Sequence, residues 1–391
     1  MSTEKIAVMY GAGNVGRGFI GQLLYESGYR TVFVDVNEEV VSALNRRRAY
    51  PLRILAQQTH QDLLIENVSA VHGQNVEQVA DAIAGADLLA TAVGANVLPH
   101  IAPAIAAGLA RRHDQGGAPL DILICENLMD AGQILRGLIL AHLPEPAHRW
   151  FADHVGLVET SIGRMIPLQT PQLQDGDPLR ICVEAYCALP ADKEGFRAGI
   201  PALRGLAPTA PFSFYVERKL YMHNMGHALA AYCGDYVGLT TVWEAVETPE
   251  IADIVRGAML SSADALARRF GADSAELHAH AEDLLARFAN RQLGDSVYRV
   301  GRDLRRKLAP KDRMVGALRA CMDAGIDGAR IALGIALALR FSHGDLDLPA
   351  ERVLTEVCGI DEAEPVYARI LAFYAQARAG ASLADLAASC R

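Results

Sequence analysis

The chain has 391 residues, which is enough for two domains with substantial cores. Hydrophobic residues make up 51% and charged residues 21%, a globular composition that excludes a disordered protein. The formal net charge of −9, without a basic tail, argues against nucleic acid as a partner.

The first predicted element is a buried strand over residues 5–10 (KIAVMY), and the glycine-rich turn GAGNVGRG follows it at once. A helical pattern comes next, and a second strand, TVFVDV, ends near Asp35, 19 residues past the third glycine. Strand, turn, helix, strand and acid in this order are typical of a dinucleotide-binding unit.

The first three glycines of this turn have separate physical roles. Gly11 permits the tight turn, Gly13 lets backbone amides approach a pyrophosphate, and Gly16 lets the helix pack closely on the strand. Asp35 can accept hydrogen bonds from a ribose diol and would repel a 2′-phosphate, which favours NAD over NADP. Arg17 leaves some tolerance of NADP open, because a nearby guanidinium can accommodate a phosphate.

Two later apolar runs, 87–94 (DLLATAVG) and 121–127 (DILICEN), are predicted to be further parallel strands. Ligands bind beyond the carboxyl ends of such strands, and this places Asn127 toward the nicotinamide. The candidate cofactor-binding residues are Gly11, Gly13, Asn14, Val15, Gly16, Arg17, Asp35, Thr91 and Val93.

Strands are also predicted at 155–160 and 180–188, and the periodicity from about residue 212 onward is helical. The predicted helices cover 214–235, 249–270, 274–289, 313–324, 328–341 and 362–378. The expected fold class is therefore α/β plus all-α. A Rossmann-type doubly wound sheet occupies residues 1–190, and a mainly helical substrate-binding and catalytic domain occupies 191–391.

One predicted helix carries three polar side chains with catalytic chemistry: Lys219, Asn224 and His227. At 100° per residue, Asn224 lies about 140° and His227 about 80° from Lys219, so the three share one sector. An amine that can act as a base, an amide that can donate and an imidazole that can orient would suit an alcohol/carbonyl pair.

The chain resembles the polyol-specific long-chain dehydrogenases, also called the mannitol dehydrogenase family. The resemblance covers most of the chain and is strongest at GAGNVGRGFIGQLL, CEN, HVGLVETSIGRMIP, FYVERKLYMHNMGHALAAY and RFANRQLGDSVYRVGRDLRRKL. It implies that Lys219 is the general base, that His227 contacts the reacting oxygen, and that Asn127 and Asn224 stabilise the oxyanion. It also implies a reaction without zinc.

A lysine base needs a pKa near 7–8 rather than about 10.4, which requires roughly 3–5 kcal/mol of environmental bias. Burial against Tyr221 or Met225 and the charge of the oxidised nicotinamide are the expected sources.

Six cationic residues lie between positions 302 and 313, in a segment similar to that of the phosphate-using members. Guanidinium and ammonium groups bind phosphate well, although a solvated helix face remains the alternative. The candidate substrate-binding residues are Arg287, Asn290, Arg302, Arg306 and Lys307. In SIGRMIP, Gly163 stands where the family usually has an aspartate, and this leaves the substrate open.

The resemblance implies an NAD-dependent oxidoreductase that interconverts D-mannitol 1-phosphate and D-fructose 6-phosphate. The alternative substrates are a free polyol, such as mannitol or arabinitol, and a sugar acid of the altronate type. A non-catalytic NAD-binding regulator is disfavoured by the joint presence of the lysine, asparagines and histidine. A hydroxyacid dehydrogenase with a His/Asp base is disfavoured because no carboxylate lies within four residues of His227.

Seven cysteines occur without a CxxC pair, which indicates reduced thiols in the cytoplasm and argues against a zinc cage. His278 and His280 would point about 200° apart on a helix, so no metal site is expected. No apolar run reaches membrane-spanning length, and no secretory signal is recognised. The sequence leaves open whether the protein is a monomer or a dimer.

Overall fold

The computed structural model describes residues 4–57 and 59–390. By its internal contacts the chain divides into two compact units, the first ending at Phe212 and the second beginning at Ser213. Residues 191–212, which the sequence suggested for the helical domain, lie with the first unit. The reason is that a strand at Leu206–Thr209 pairs in parallel with one at Leu189–Asp192.

The strands belong to the first unit and follow each other in chain order as β1 Lys5–Tyr10, β2 Tyr29–Asp35, β3 Ala49–Leu55, β4 His60–Glu66, β5 Val68–His72, β6 Leu88–Thr91, β7 Leu120–Ile124, β8 Val155–Glu159, β9 Ile181–Glu184, β10 Leu189–Asp192 and β11 Leu206–Thr209. The main sheet is parallel and six-stranded, in the order β5-β2-β1-β6-β7-β8. The chain reverses its direction of growth between β1 and β6, and ligands bind at such a switch point.

Both faces of this sheet are covered. Along β1, Ala7 and Met9 pack into one hydrophobic cluster, while Val8 and Tyr10 pack into the other. Successive side chains of a strand point to opposite faces, so a strand buried on both faces must be apolar throughout. This requirement made β1, β6 and β7 predictable from their sequences.

Helices α1 to α7 lie in the first unit: Gly21–Glu26, Glu38–Arg47, Val76–Ala84, Leu98–Asp114, Ala131–Leu140, His148–His154 and Pro171–Gln174. A π-helical turn, Gly16–Ile20, leads into α1. A smaller sheet, ordered β4-β3-β9, packs on the α1 side of the main sheet, where Leu52, Ile65 and Ile181 join the same cluster as Leu23. The β3–β4 hairpin was not predicted.

The second unit is mainly helical, which confirms the predicted fold class. Helices α8 to α19 cover Phe212–Arg218, Met225–Tyr236, Val242–Glu247, Pro249–Phe270, Ser274–Phe288, Val297–Gly301, Leu304–Lys307, Arg313–Asp323, Ala329–Ala338, Ala350–Arg352, Pro365–Arg378 and Leu383–Ala388. None of the helices in the described ranges combines the length and hydropathy needed to cross a membrane.

Helix α9 is the centre of the second unit. From Met225 to Gly234 every residue is buried except His227, which is partly buried. A helix that is apolar on all sides is a core helix, so a polar side chain on it needs a specific partner. We therefore expect the imidazole of His227 to have a polar partner.

Candidate active site

The glycine turn after β1 is held by steric constraints that exclude a side chain at two positions. Gly11 has φ +101°, and a Cβ there would lie 2.4 Å from the carbonyl oxygen of Ala92. A Cβ at Gly16 would lie 1.9 Å from the carbonyl oxygen of Gly11. Gly13 differs, because a Cβ there meets no protein atom within 4 Å. The first and third glycines are thus required by the fold, and the second keeps an approach to the backbone open.

A cavity of about 590 Å³ lies at this turn, beyond the carboxyl ends of the central strands. Of the candidate cofactor residues, Gly11, Gly13, Asp35 and Val93 line it. Asn14 is exposed beside the turn, Val15 is partly buried and Gly16 is buried. Thr91 is fully buried at the end of β6, and its hydroxyl has no hydrogen-bond partner in the described part of the chain.

Asp35 is fixed at the rim of this cavity by two backbone amides. One carboxylate oxygen accepts from the N–H of Ala12 at 2.7 Å and the other from the N–H of Asn37 at 2.9 Å. A carboxylate oxygen has more than one acceptor site, so these bonds leave capacity for a ribose diol. The cavity, the glycine turn and this acid together fit a dinucleotide.

The structure gives Arg17 contacts other than those suggested by the sequence. Its buried guanidinium donates to the carbonyl oxygens of Ala12 at 2.6 Å and Leu179 at 2.5 Å, and it lies against the ring of Tyr50. Arg17 does not line the cavity. Its hydrogen bonds connect the π-helical turn to the segment at Leu179, since buried donors need acceptors.

Glu126, which the sequence analysis did not single out, positions a loop that lines the cavity. Its buried carboxylate accepts from the N–H groups of Val93 at 2.9 Å and Gly94 at 2.8 Å. It thereby holds the loop after β6, which lines the cavity, while Asn127 beside it is exposed. The sequence signal that could have identified Glu126 is an acid at the end of an apolar strand. A carboxylate buried at such a position must accept hydrogen bonds.

The backbone at Lys219 departs from the predicted regular helix. Helices α8 and α9 are joined by a π-helical segment, Lys219–Asn224, so the 140° and 80° offsets calculated for a continuous α-helix are wrong. Hydrogen bonds in a π-helix span one more residue than in an α-helix, which changes the direction of side chains across the segment. Such segments occur frequently at functional sites.

Lys219 itself is partly buried, and this burial lowers the pKa of its ammonium group from 10.5 to about 8. The positive charge of Arg313 acts in the same direction. The difference corresponds to about 3 kcal/mol in favour of the neutral amine. Tyr221 and Met225 are both buried, as the sequence suggested, whereas Arg313 was not foreseen as a contributor.

The described part of the second unit brings a carboxylate to His227. Nε2 of His227 lies 3.2 Å from Oδ2 of Asp295, and its ring stacks on Phe288 with centroids 4.9 Å apart. No carboxylate lies within four residues of His227 in the sequence, and its partner Asp295 comes from a different segment, which the spacing could not predict. His223 is buried, and this burial, with the charge of Arg287, lowers the pKa of its imidazole well below 6.5.

The five candidate substrate-binding residues have different surroundings. Arg287 forms an ion pair with Asp283 at 3.6 Å, and the side chain of Asn290 accepts from the N–H of Gln292 at 3.1 Å. Arg302 is exposed and lies over the ring of Tyr298. Arg306 is exposed and is paired with the carboxylate of Asp303 at 2.5 Å.

Lys307 is buried, and its ammonium donates to the carbonyl oxygen of Arg302. Burial lowers its pKa to about 8, and the positive charge of Arg313 adds to this effect. Arg313 thus acts electrostatically on both amines, Lys219 and Lys307. A concentration of positive charge of this kind favours an anionic ligand.

Gly163, which stands in place of the usual aspartate, lies beside an aromatic ring. A Cβ at this position would lie 3.3 Å from the ring of Tyr186. An aspartate would therefore require the ring of Tyr186 to shift. Arg164 is buried, and its guanidinium donates to the carbonyl oxygen of Glu184 at 2.8 Å and to the side chain of Gln22 at 2.7 Å.

Family models for the mannitol dehydrogenase Rossmann domain and the mannitol dehydrogenase C-terminal domain match residues 5–205 and 212–353. The chain belongs to the mannitol dehydrogenase family. It is 39% identical over 338 residues to mannitol-1-phosphate 5-dehydrogenase of Brevibacillus brevis, a match that covers 86% of each chain. The resemblance drawn from the sequence motifs is thereby confirmed.

Two solved structures share the fold. The substrate-free crystal structure of D-sorbitol dehydrogenase has a TM-score of 0.83 at 16% identity, with 100% of this chain and 98% of that chain covered. The Pseudomonas fluorescens mannitol 2-dehydrogenase ternary complex with NAD and D-mannitol has a TM-score of 0.77 at 18% identity, with 99% and 94% covered. Membership of the mannitol dehydrogenase family makes this chain a polyol dehydrogenase. With its cavity and Asp35, the family Rossmann domain makes NAD its cofactor.

The glycine turn allows a paired test of cofactor binding in this polyol dehydrogenase. Gly16→Ala is expected to lower the melting temperature of the cofactor-free protein, because its Cβ meets the Gly11 carbonyl. Gly13→Ala is expected to keep that melting temperature while raising the Kd for NADH about tenfold or more, a loss of about 1.4 kcal/mol. Thermal melting and NADH fluorescence titration measure the two effects. Equal NADH affinity in Gly13→Ala and wild type would contradict the assignment of Gly13.

Proposed function

We propose that this polyol dehydrogenase interconverts D-mannitol 1-phosphate and D-fructose 6-phosphate with NAD, and that Lys219 is its general base. The observation that carries the proposal is the partly buried amine of Lys219, whose pKa lies at about 8. A base with a pKa near the working pH combines a usable neutral fraction with a useful affinity for the proton.

When bound, NAD supplies the acceptor for the hydride that leaves the secondary alcohol. The neutral amine of Lys219 takes the hydroxyl proton as the C–H bond breaks, and the resulting ammonium returns that proton in the reduction of the ketose. Asn224, partly buried at the end of the π-helical segment, and Asn127 are the proposed amide donors to the oxygen that gains negative charge. His227 is the proposed further contact to that oxygen.

The phosphate of the substrate is the proposed partner of the basic segment, with Lys307, Arg302 and Arg306 as donors. Lys307 supports this assignment, because it is a buried cation that donates to the neutral carbonyl oxygen of Arg302. A substrate dianion would offset that buried charge better than water can. Arg287 and Asn290 are the proposed contacts to polyol hydroxyls. The enzyme is expected in the cytoplasm, where its seven cysteines stay reduced.

Lys219→Ala is expected to lower kcat by about 10³-fold or more in both directions, because the proton then has no acceptor at the reacting oxygen. The Kd for NADH is expected to stay within about twofold. NADH formation and consumption, followed by absorbance with and without chelator, measure turnover and its metal dependence. Turnover at the wild-type rate in Lys219→Ala would remove the lysine mechanism.

The pH dependence should reflect the titration of Lys219. Alcohol oxidation needs the neutral amine, so its kcat/KM is expected to rise with pH and to level off above about 8. Ketose reduction needs the ammonium, so its kcat/KM is expected to fall as pH rises through about 8. Measurement of kcat/KM against pH for both oxidation and reduction checks that the two pH dependences run in opposite directions.

Lys307 has a pKa of about 8 as well and must be separated from Lys219. The change of kcat/KM near pH 8 is expected to persist in Lys307→Met, in which that amine is absent. If this change of kcat/KM disappears in the variant, the titration belongs to Lys307, and the role of Lys219 is contradicted.

The choice between a sugar phosphate and a free polyol can be tested at Lys307. Lys307→Met is expected to lower kcat/KM for fructose 6-phosphate about 100-fold, because a charge-assisted hydrogen bond worth up to about 3 kcal/mol is lost. The value for fructose is expected to change less than about threefold. Arg305→Met, in the same helix and exposed, is the matched control and should change neither value.

A substrate panel completes this test. Wild-type enzyme that reduces fructose as efficiently as fructose 6-phosphate would exclude the phosphate proposal and favour a free polyol. Activity confined to tagaturonate would favour the sugar-acid alternative.

A further inference from the structure

Asp295, in the described part of the second unit, contacts His227 and has no role in the mechanism proposed above. Asp295, far along the chain from helix α9, places one carboxylate oxygen 3.2 Å from Nε2 of His227. We propose that Asp295 is a positioning residue, which fixes the orientation of the His227 imidazole for contact with the substrate oxygen. The proposal rests on the function proposed above, in which His227 makes that contact.

Two contacts fix different movements of the imidazole. The ring of His227 stacks on Phe288 with an interplanar angle of 18°, which restricts the plane of the ring. The contact with Asp295 lies at the edge of the ring and restricts its rotation within that plane. Together they leave one orientation in which the Nε2 edge faces the carboxylate.

The same contact determines where the ring carries its proton. In both the neutral and the charged imidazole, an Nε2–H directed at the carboxylate donates to it, whereas the opposite tautomer would direct a lone pair at a negative oxygen. Asp295 therefore keeps hydrogen on Nε2 in both forms of the ring. In the neutral tautomer the lone pair on Nδ1 can accept the hydroxyl hydrogen of the alcohol, and in the charged form an Nδ1–H can donate to the reacting oxygen as it gains negative charge. A partner of this kind usually sets how a histidine meets its ligand.

Asp295 is itself held in place, which an orienting residue requires. Its side chain is 9% exposed, and its backbone carbonyl accepts from the N–H of Val242 at 2.9 Å. The next residue, Ser296, caps helix α13 and forms a β-bridge with Thr241. The guanidinium of Arg299, one turn along α13, contacts the carboxylate and offsets its buried charge.

The chain contains a second histidine–aspartate pair that serves as a matched control. His278 lies 2.8 Å from Asp264, and both side chains are about 40% exposed. Ser274, at the first turn of α12, joins this pair through a hydrogen bond to Asp264 at 2.8 Å. This pair belongs to the start of a surface helix, so Asp264→Asn removes a similar contact and the same charge away from the proposed site.

Asp295→Asn is the primary test, because it keeps the shape of the side chain and removes its charge. The expected result is a kcat for fructose 6-phosphate reduction that falls about 10- to 100-fold, with KM and the Kd for NADH within about threefold. Long-range ¹H–¹⁵N spectra, assigned with His227→Gln, should show a single Nε2–H tautomer of His227 in wild type and a mixture in Asp295→Asn. Asp264→Asn should match wild type in rate and in the His227 spectrum.

A double-mutant cycle covers the case in which Asp295→Asn also weakens the fold. If Asp295 acts only through His227, then Asp295→Asn lowers kcat in the wild-type background and has no further effect in His227→Gln. Asp295→Glu, which retains a carboxylate, should recover part of the lost rate. An equal loss of kcat in both backgrounds would show a general structural effect and would overturn the proposal.

The outcomes also separate this proposal from the proposed function. An inactive Lys219→Ala with a fully active Asp295→Asn would remove only the role of Asp295. An active Lys219→Ala with an inactive Asp295→Asn would make the His227–Asp295 pair the base, which would overturn both proposals.

Discussion

The amine of Lys219 imposes the most demanding constraint in this structure, because a positive charge is disfavoured where it lies. Burial and the neighbouring Arg313 lower its pKa to about 8 in the folded chain, against 10.5 for an exposed lysine. The folded protein therefore binds fewer protons than the unfolded chain between these two values, and stability rises with pH across that window. At neutral pH the full cost of about 3 kcal/mol is present. The rest of the second unit must offset it.

Close packing around the π-helical segment is what offsets this cost. Tyr221 and Met225, which alternate with the polar positions along the chain, are buried, and helix α9 is buried around almost its entire surface. Gly316 of α15 lies so close to Tyr221 that a Cβ there would approach the ring to 2.5 Å. Apolar burial contributes about 25 cal/mol per Å², so a few side chains of this size balance one disfavoured charge. The π-helical segment is thus packed closely against its neighbours at Tyr221.

Much of the fold could be predicted because its signals are local. Strands covered on both faces must be apolar throughout, and this identified β1, β6 and β7. The glycine turn was predictable since its three positions obey steric rules that act within a few residues. The helices α11 and α12 began at the predicted residues, for they are long and strongly periodic. The π-helical segment has no such local signal. Its sequence is compatible with a regular helix.

The residues that sequence reasoning missed all owe their positions to contacts between distant segments. Glu126 meets the amides of Val93 and Gly94 because β6 and β7 are neighbours in the sheet, and Asp295 meets His227 because the chain returns to α9 just before α13. Arg17 shows the converse. Its position in the motif suggested a cofactor contact, yet its guanidinium donates a hydrogen bond to the carbonyl oxygen of Leu179, which is remote in sequence. A motif therefore specifies which chemistry is available, whereas the tertiary partners decide how each group is oriented. In this chain the orienting residues are acids, because a fixed carboxylate can hold backbone amides as well as an imidazole.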